Sequence, residues 1–438
     1  MVIISAIPSI RFVVAYFAVL YIGAVAIPVD KNANKDAIIK MSEYFNSKVV
    51  FIENDVIEAI NTYKLSELTN EFFNDPVQPE VLVGEDLANI FFTSATTGSP
   101  KGVMLTHKNI LSQTLATIDI TDVSSDVVWL IPIPLHHVAA LRRLRAVLFC
   151  GGTVVLENGF SSLINIFGTI IKNRCTGITC TPSAMRILYE QTKNNISKLF
   201  GGLQAIVLDT MPIPLDMKQS LVKDLPLVNI YNVYGSTEAA GIIAINYSKR
   251  TDKIGSIGIP ATGVKVKIVN NDNKEIKSSP ENTGRLAIYG DMVMRGYWGE
   301  EKLTQESIVD GWLIMNDIAY IDDDGYIFLL GRVDDIIIIG GEKVSPFEIE
   351  NKINSFESIK DSCCIAVEDP QGVLGQIPIA FITVHKDMSY SEKLLHDYLQ
   401  QNLERHKIPR KIILVDEIPR NIMGKMLRRE LIKAYQEN

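Results

Sequence analysis

The chain has 438 residues, 47% of them hydrophobic and 21% charged, too long for one ordinary core and apolar enough for a well-packed globular protein of two or more domains. A net charge of −8, without a Lys/Arg stripe above the acidic background, excludes a generic nucleic-acid surface but not an anionic small molecule, which local donors decide. Five cysteines with no C-x-x-C pair read as buried free thiols of a reducing compartment, not as disulfides or a zinc site.

Near the N-terminus, "FVVAYFAVLYIGAVAIPV" at 12–29 is uncharged and long enough to cross a bilayer, and its "AVA" would pass as a signal-peptidase site. Gly23 and Pro28 interrupt the run, and Arg11 stands at its edge instead of in a basic leader. The stretch therefore reads as a buried helix followed by a strand, which implies a cytoplasmic protein without stable membrane insertion.

Up to about residue 240 short apolar runs alternate with helix-length segments. The predicted strands are "SKVVFIE" (47–53), "DVVWLIPI" (126–133), "GTVVLE" (152–157), "TGITCTP" (176–182), "LQAIVLD" (203–209) and "VNIYNVY" (228–234), with helices between them such as "PSAMRILYEQTK" at 182–193. Such alternation implies parallel sheets covered by helices. From about 254, β segments with Gly/Asn/Asp turns predict an antiparallel barrel or sheet. After Arg332 comes a smaller α+β unit: a hairpin, a helix from about Pro346, strands near 362–367 and 377–384, a helix near 391–404 and a charged last helix. The fold class is α/β, a large N-terminal part of helix-covered sheets with a β-barrel-like subdomain, then a small α+β C-terminal part.

"TSATTGSPKG" at 93–102 carries the first chemical signal. Backbone N–H groups of a Gly-rich turn converge on anions, and Ser/Thr hydroxyls add donors. Gly98 and Gly102 allow close backbone approach, and Lys101 brings a mobile positive charge. The spacing is not that of P-loop NTPases, since no Ser/Thr follows Lys101. Alone, the run fits a polar surface turn as well as a phosphate loop.

Three companions lie downstream: "YNVYGSTEAAG" (231–241), at the end of a predicted strand where ligand crevices form; "GWLIMNDIAYIDDDGYIFLLGRVDDIIIIGGEKVSPFEIE" (311–350); and "IPRNIMGKMLRREL" (418–431). In this order the four stretches resemble the adenylate-forming, AMP-binding superfamily, in its acyl-CoA synthetase and aryl-CoA ligase branch, and the resemblance covers almost the whole chain. It implies a two-step reaction with ATP, Mg2+ and CoA. A carboxylate attacks the α-phosphorus, giving an acyl-adenylate and pyrophosphate, and a thiol then displaces AMP.

The resemblance also implies roles. Thr93, Ser94, Thr96, Thr97, Gly98 and Lys101 would cradle the β- and γ-phosphates. Tyr234, followed by Gly235, would stack on adenine and Asn232 would bind its amino edge, with Thr237 on the α-phosphate and Glu238 on Mg2+. Asp317 and Arg332 would hold the ribose hydroxyls, a task that suits a carboxylate and a fixed guanidinium. Lys425 would be the mobile catalytic lysine, and His137 would line the carboxylate pocket. Residues 1–332 would form the AMP-binding domain, shortened at its start, and 333–438 a mobile cap turning about Asp334. The glycines Gly340 and Gly341 would leave room for the pantetheine arm of CoA.

The sequence departs from the family in four places. Ala95 replaces a glycine, "MND" (315–317) stands for "TGD", "LDTMPIP" (208–214) replaces a small-residue segment under adenine, and the chain begins inside what the family places after several earlier strands. Asp209 in that segment would repel phosphate unless it points away. Arg142, Arg143 and Arg145 put charge into a segment that is normally apolar, and the sequence offers no account of them.

The expectation is an ATP-dependent carboxylic acid–CoA ligase acting on a fatty or aromatic acid. The alternatives are an enzyme loading a carrier-protein phosphopantetheine, and a degenerate nucleotide- or acyl-binding relative.

Overall fold

The structure, a computed structural model, describes residues 1–53, 56–67, 78–93, 101–160, 162–192, 195–385, 388–420, 424 and 426–437. The first sheet takes Val2–Ser5 (β1), Ala26–Val29 (β2), Val49–Ile52 (β3), Thr62–Lys64 (β4), Leu87–Thr93 (β5) and Lys101–Thr106 (β6). The second takes Val128–Ile131 (β7), Thr153–Leu156 (β8), Gly177–Cys180 (β9), Ala205–Leu208 (β10), Asn229–Tyr234 (β11), Ile243–Asn246 (β12) and Ile259–Pro260 (β13). All six strand stretches predicted from the pattern are present. From β7 to β11 the pairing is parallel, and β12 and then β13 extend the sheet antiparallel. Parallel strands need helical crossovers, and the chain supplies Ile10–Tyr21 (α1), Lys35–Tyr44 (α2), His107–Thr121 (α3), Val138–Phe149 (α4), Leu163–Asn173 (α5), Pro182–Thr192 (α6), Ile196–Phe200 (α7) and Leu215–Asp224 (α8).

An antiparallel unit follows, from Lys265–Val269 (β14), Gly284–Tyr289 (β15), Ile308–Val309 and Trp312–Ile321, with Ile327–Arg332 on its flank. Between them Gly296–Tyr297 returns to the first sheet and pairs with β6, and Glu301–Ser307 forms a short helix. The last unit opens with a hairpin, Ile337–Ile339 and Glu342–Val344. It continues with a helix over Pro346–Asn354, a three-stranded sheet of Ile359–Glu368, Gln376–Val384 and Lys411–Leu414, and helices over Glu392–Asn402 and Arg428–Gln436.

The apolar N-terminal run divides as its breakers dictate. Ser9 caps α1 by accepting from the Phe12 N–H at 3.2 Å, and Gly23, at φ +70°, turns the chain into β2. Among the described residues no helix is long and apolar enough to cross a membrane. The cysteines are free.

α3 and α4 lie between the two large sheets. One apolar cluster joins Ile4, Phe91 and Val103 of the first sheet to Leu141, Leu144 and Val147 of α4 and to Trp129, Val207 and Tyr231 of the second. A reciprocal capping box starts α3, with Thr106 accepting from the Asn109 N–H at 3.2 Å and Asn109 from the Thr106 N–H at 2.8 Å. Its direction, and with it that of the layer above the site, is thereby set.

Candidate active site

The loop after β11 is closed tightly on itself. The Ile242 N–H donates to the Tyr234 carbonyl at 3.1 Å, and a Cβ on Gly235 would fall 2.2 Å from the Gly241 nitrogen. Only glycine fits at 235, so Tyr234, Thr237 and Glu238 are held at the carboxyl end of the strand. The Tyr234 hydroxyl donates to Asp317 Oδ2 at 2.7 Å, joining the second sheet to the antiparallel unit. Arg332 lies opposite Asp317 in strand register. Burial pushes the Tyr234 phenol well above its ordinary pKa, and the Asp317 carboxylate adds to the shift.

Asn232 is buried one pleat earlier, close enough to the Tyr247 hydroxyl to bias its titration. Met315 and Asn316, the altered neighbours of Asp317, are occupied locally. Arg285 Nε donates to the Met315 carbonyl at 3.1 Å, and the Val333 N–H donates to the Asn316 carbonyl at 2.8 Å.

A second group forms around Tyr297. Its hydroxyl donates to Glu238 Oε1 at 2.8 Å, and Lys101 Nζ stands 5.6 Å from its ring centre. Burial raises the Tyr297 phenol above its ordinary pKa, with Glu238 adding to it. The Trp298 N–H donates to the Gly102 carbonyl at 2.8 Å, and a Cβ on Gly102 would lie 3.3 Å from Trp298 Cβ. Lys101 and Glu238, far apart in sequence, thus meet through Tyr297, which sequence reasoning missed. Its only signal was an aromatic after glycine in "RGYW" (295–298).

Residues 94–100 connect two antiparallel strands, β5 and β6, with Thr93 opposite Lys101. Ser94, Thr96, Thr97, Gly98 and the altered Ala95 lie outside the described residues, as does Lys425. Gly424, just before Lys425, is described. At φ +83° it packs so closely on α6 that a Cβ would lie 2.1 Å from Ser183 Oγ. Arg420 donates to the Gly424 carbonyl at 2.6 Å and also bonds Asp361. Arg186 of α6 donates to the Lys360 carbonyl at 2.8 Å. The last unit therefore meets the second sheet beside α6 and the segment carrying Met211.

His137 caps α4 without a side-chain cap bond. Its ring lies 4.1 Å from that of His136, its Nε2 is buried without a partner, and burial pushes its pKa down to about 3. Asp209 is buried and pairs with Arg142, so its charge is offset within the chain. Asp334 sits in an exposed turn whose next N–H, that of Asp335, donates to the Arg332 carbonyl at 2.9 Å. Gly340 and Gly341, at φ +59° and +92°, form the exposed tip of the hairpin. Positive φ is what this turn requires of them.

The AMP-binding enzyme family matches residues 1–298, and the AMP-binding enzyme C-terminal domain matches residues 348–425. The chain belongs to the AMP-binding enzyme family, in its branch of AMP-forming acid–CoA ligases. A 2-succinylbenzoate–CoA ligase of Bacillus cytotoxicus is 29% identical over 98% of this chain and 87% of that protein. A feruloyl-CoA synthase of Amycolatopsis is 29% identical over 82% of this chain and 72% of its own length.

Among solved structures, o-succinylbenzoate CoA synthetase from Bacillus subtilis with its acyl-adenylate intermediate superposes with a TM-score of 0.85 at 27% identity. The match covers 98% of this chain and 87% of that one. The same enzyme has also been solved with ATP and magnesium ion. ATP, Mg2+ and CoA are the ligands of this family branch. No cluster of three or more His, Cys, Asp or Glu gathers among the described residues. A Mg2+ carried by nucleotide phosphates needs one or two protein carboxylates, and Glu238, held by the Tyr297 hydroxyl, is a carboxylate of that kind.

Proposed function

We propose that the chain joins an aromatic carboxylic acid to CoA through an enzyme-bound acyl-adenylate. The acid oxygen attacks the α-phosphorus of ATP and pyrophosphate leaves; the CoA sulfur then attacks the acyl carbon and AMP leaves. The observation that carries this reading is the Tyr234–Asp317 hydrogen bond at 2.7 Å, which joins the antiparallel unit to the strand end whose loop also carries Glu238, the partner of Tyr297. The preference for an aromatic acid, and for CoA over a carrier protein, is supported by the named activities of the two curated relatives.

In this reading Tyr234 offers its ring to adenine, and Asn232 its amide to the amino edge. Asp317 and Arg332 hold the ribose hydroxyls. Lys101 and the hydroxyls at Thr93, Ser94, Thr96 and Thr97, with the Gly98 backbone, bind the β- and γ-phosphates, and Thr237 binds the α-phosphate. Glu238, oriented by Tyr297, is the carboxylate for Mg2+, which when bound neutralises polyphosphate charge. Lys425 donates to the α-phosphate and the attacking oxygen. His137, kept neutral by burial, lines the acid without adding charge. The units divide after Arg332, and a rotation about Asp334 exchanges Lys425 for the Gly340–Gly341 tip, beside which the pantetheine arm passes.

The test is thioester formation with AMP release over a panel of aromatic acids. Lys425→Ala lowers adenylation by about three orders of magnitude, as loss of a transition-state cation does, with ATP affinity within several-fold. Asp317→Asn raises the KM for ATP about tenfold, the size of one charge-assisted hydrogen bond. Unchanged rates in both variants would contradict the assignment.

A further inference from the structure

α4 is buried along nine consecutive residues, Ala139–Val147, and a helix so enclosed is ordinarily apolar all round. Arg142, Arg143 and Arg145 are nevertheless 1%, 0% and 6% exposed. α3 meets them with threonines. The Thr114, Thr117 and Thr121 hydroxyls donate to carbonyls four residues back at 2.6, 2.7 and 2.6 Å, which leaves their lone pairs for α4. Arg142 Nη1 donates to Thr117 at 2.6 Å, and Arg143 Nη1 donates to Thr121 at 2.8 Å. Arg145 donates to the Tyr16 hydroxyl at 2.9 Å and, from Nε, to Thr114 at 3.4 Å. Arg143 also lies 4.3 Å over the Trp129 ring.

Hydroxyls satisfy N–H groups without neutralising charge. Among the described residues only two acidic side chains are buried, Asp209 and Glu350, and Glu350 is engaged by Arg428 in the C-terminal unit. Three guanidinium groups therefore share one carboxylate, Asp209. Among the described residues, six of the nine buried polar side-chain atoms without a partner belong to Gln113, His137 and these three arginines: Gln113 Oε1, His137 Nε2, Arg142 Nε, Arg143 Nε and Nη2, and Arg145 Nη2. Burial, aggravated by Arg142, pushes the Arg143 pKa down to about 9. An excess of buried cations is costly until an anion completes it.

The cluster borders the reaction cleft. Arg142 lies against Gly241, where a Cβ would come within 2.1 Å of its Cζ, and Gly241 closes the loop that carries Thr237 and Glu238. Along α4, at 1.5 Å rise per residue, Arg142 and Arg145 lie roughly 7 and 12 Å beyond His137.

We propose that the acid activated here carries a second anionic group, a carboxylate bound by one of the undercompensated arginines of α4. The inference rests on the acid–CoA ligase reading and narrows its substrate class to dicarboxylic acids. Arg142 is anchored by Asp209, while Arg143 and Arg145 bring the charge that has no protein counterpart.

Acid-dependent exchange of pyrophosphate into ATP by the full chain tests it, each diacid being paired with the monoacid that lacks its second carboxylate. The pairs are 2-succinylbenzoate with 3-benzoylpropionate, and succinate, glutarate and adipate with the monoacids of equal length. At least one diacid exceeds its partner in kcat/KM by about hundredfold or more, as sites built to bind a polar group reject analogues without it. At least one of Arg143→Met and Arg145→Met cuts that ratio about tenfold or more, through KM for the diacid. The ratio is taken within one preparation, so partial unfolding does not move it. Equal or better exchange with monoacids, or a ratio that survives both substitutions, overturns the inference and leaves the ligase reading intact. Exchange with none of the acids overturns both.

Discussion

Two buried charged clusters in this molecule are built on opposite plans. In the C-terminal unit, Arg428 grips Glu350 with both terminal nitrogens, at 2.9 Å from Nη2 to Oε2, and the Cys364 N–H donates to the same carboxylate at 2.7 Å. One buried cation meets one buried anion, with the half-buried Asp335 3.8 Å from Nε, and no atom of Arg428 or Glu350 is among the buried groups without a partner. In the layer between α3 and α4, three cations meet one buried anion, and four guanidinium nitrogens have no partner among the described residues. The first cluster is complete within the chain and fastens the last helix to the sheet beneath it. The second is complete only with a ligand. Burial of charge by itself does not separate the two cases; the balance of charges and donors does.

Substitutions that remove one member from each cluster sharpen this contrast. Glu350→Gln leaves Arg428 only the more distant Asp335 as a counter-charge and costs about 3 kcal/mol, the low end of the usual loss when one partner of a buried pair is removed, read from urea unfolding. Asp209→Asn removes the buried carboxylate that pairs with Arg142 and costs about 2–4 kcal/mol by the same reasoning. Adding Arg142→Met to it recovers much of the loss. Arg143→Met has the opposite sign. In the ligand-free protein it is neutral or stabilising by up to about 2 kcal/mol, because it relieves an uncompensated buried cation. A large destabilisation there would place the arginines with Arg428 as structural groups and erase the contrast.

The pH response gives the smallest effect. The pKa of His137 is about 3 when folded and near the ordinary value of about 6.5 when unfolded. Between those values the unfolded chain holds a proton that the folded chain lacks, so stability falls as pH drops below about 6.5. His137→Gln should remove about 1 kcal/mol of the wild-type loss between pH 7 and pH 5.5, and equal losses in both proteins would contradict the burial argument.

Much of the architecture was legible because it rests on local pattern. Runs such as "LQAIVLD" and "VNIYNVY" pair as parallel strands at the expected places, and Gly23 splits the N-terminal apolar run as a breaker does. The chemistry was legible where it sits in a contiguous strand stretch, as Tyr234 does at the end of β11 and Asp317 within Trp312–Ile321. Tyr297 escaped notice because a two-residue strand has no periodicity to announce it, and its partners Lys101 and Glu238 come from distant segments. Arg142 and Asp209 show their charges in the sequence but not their pairing across 67 positions. A buried ion pair is a tertiary property. Asp209 read alone was a phosphate hazard; with Arg142 beside it, it becomes the anchor of the cluster.

The account depends on one cleft holding nucleotide and acid together, and a single turnover without CoA tests that most directly. Enzyme in excess of ATP, with Mg2+ and a substrate acid, should accumulate acyl-adenylate and pyrophosphate, and added CoA should convert the adenylate to thioester and AMP. Formation of ADP and phosphate, or no adenylate with any carboxylic acid, would contradict it.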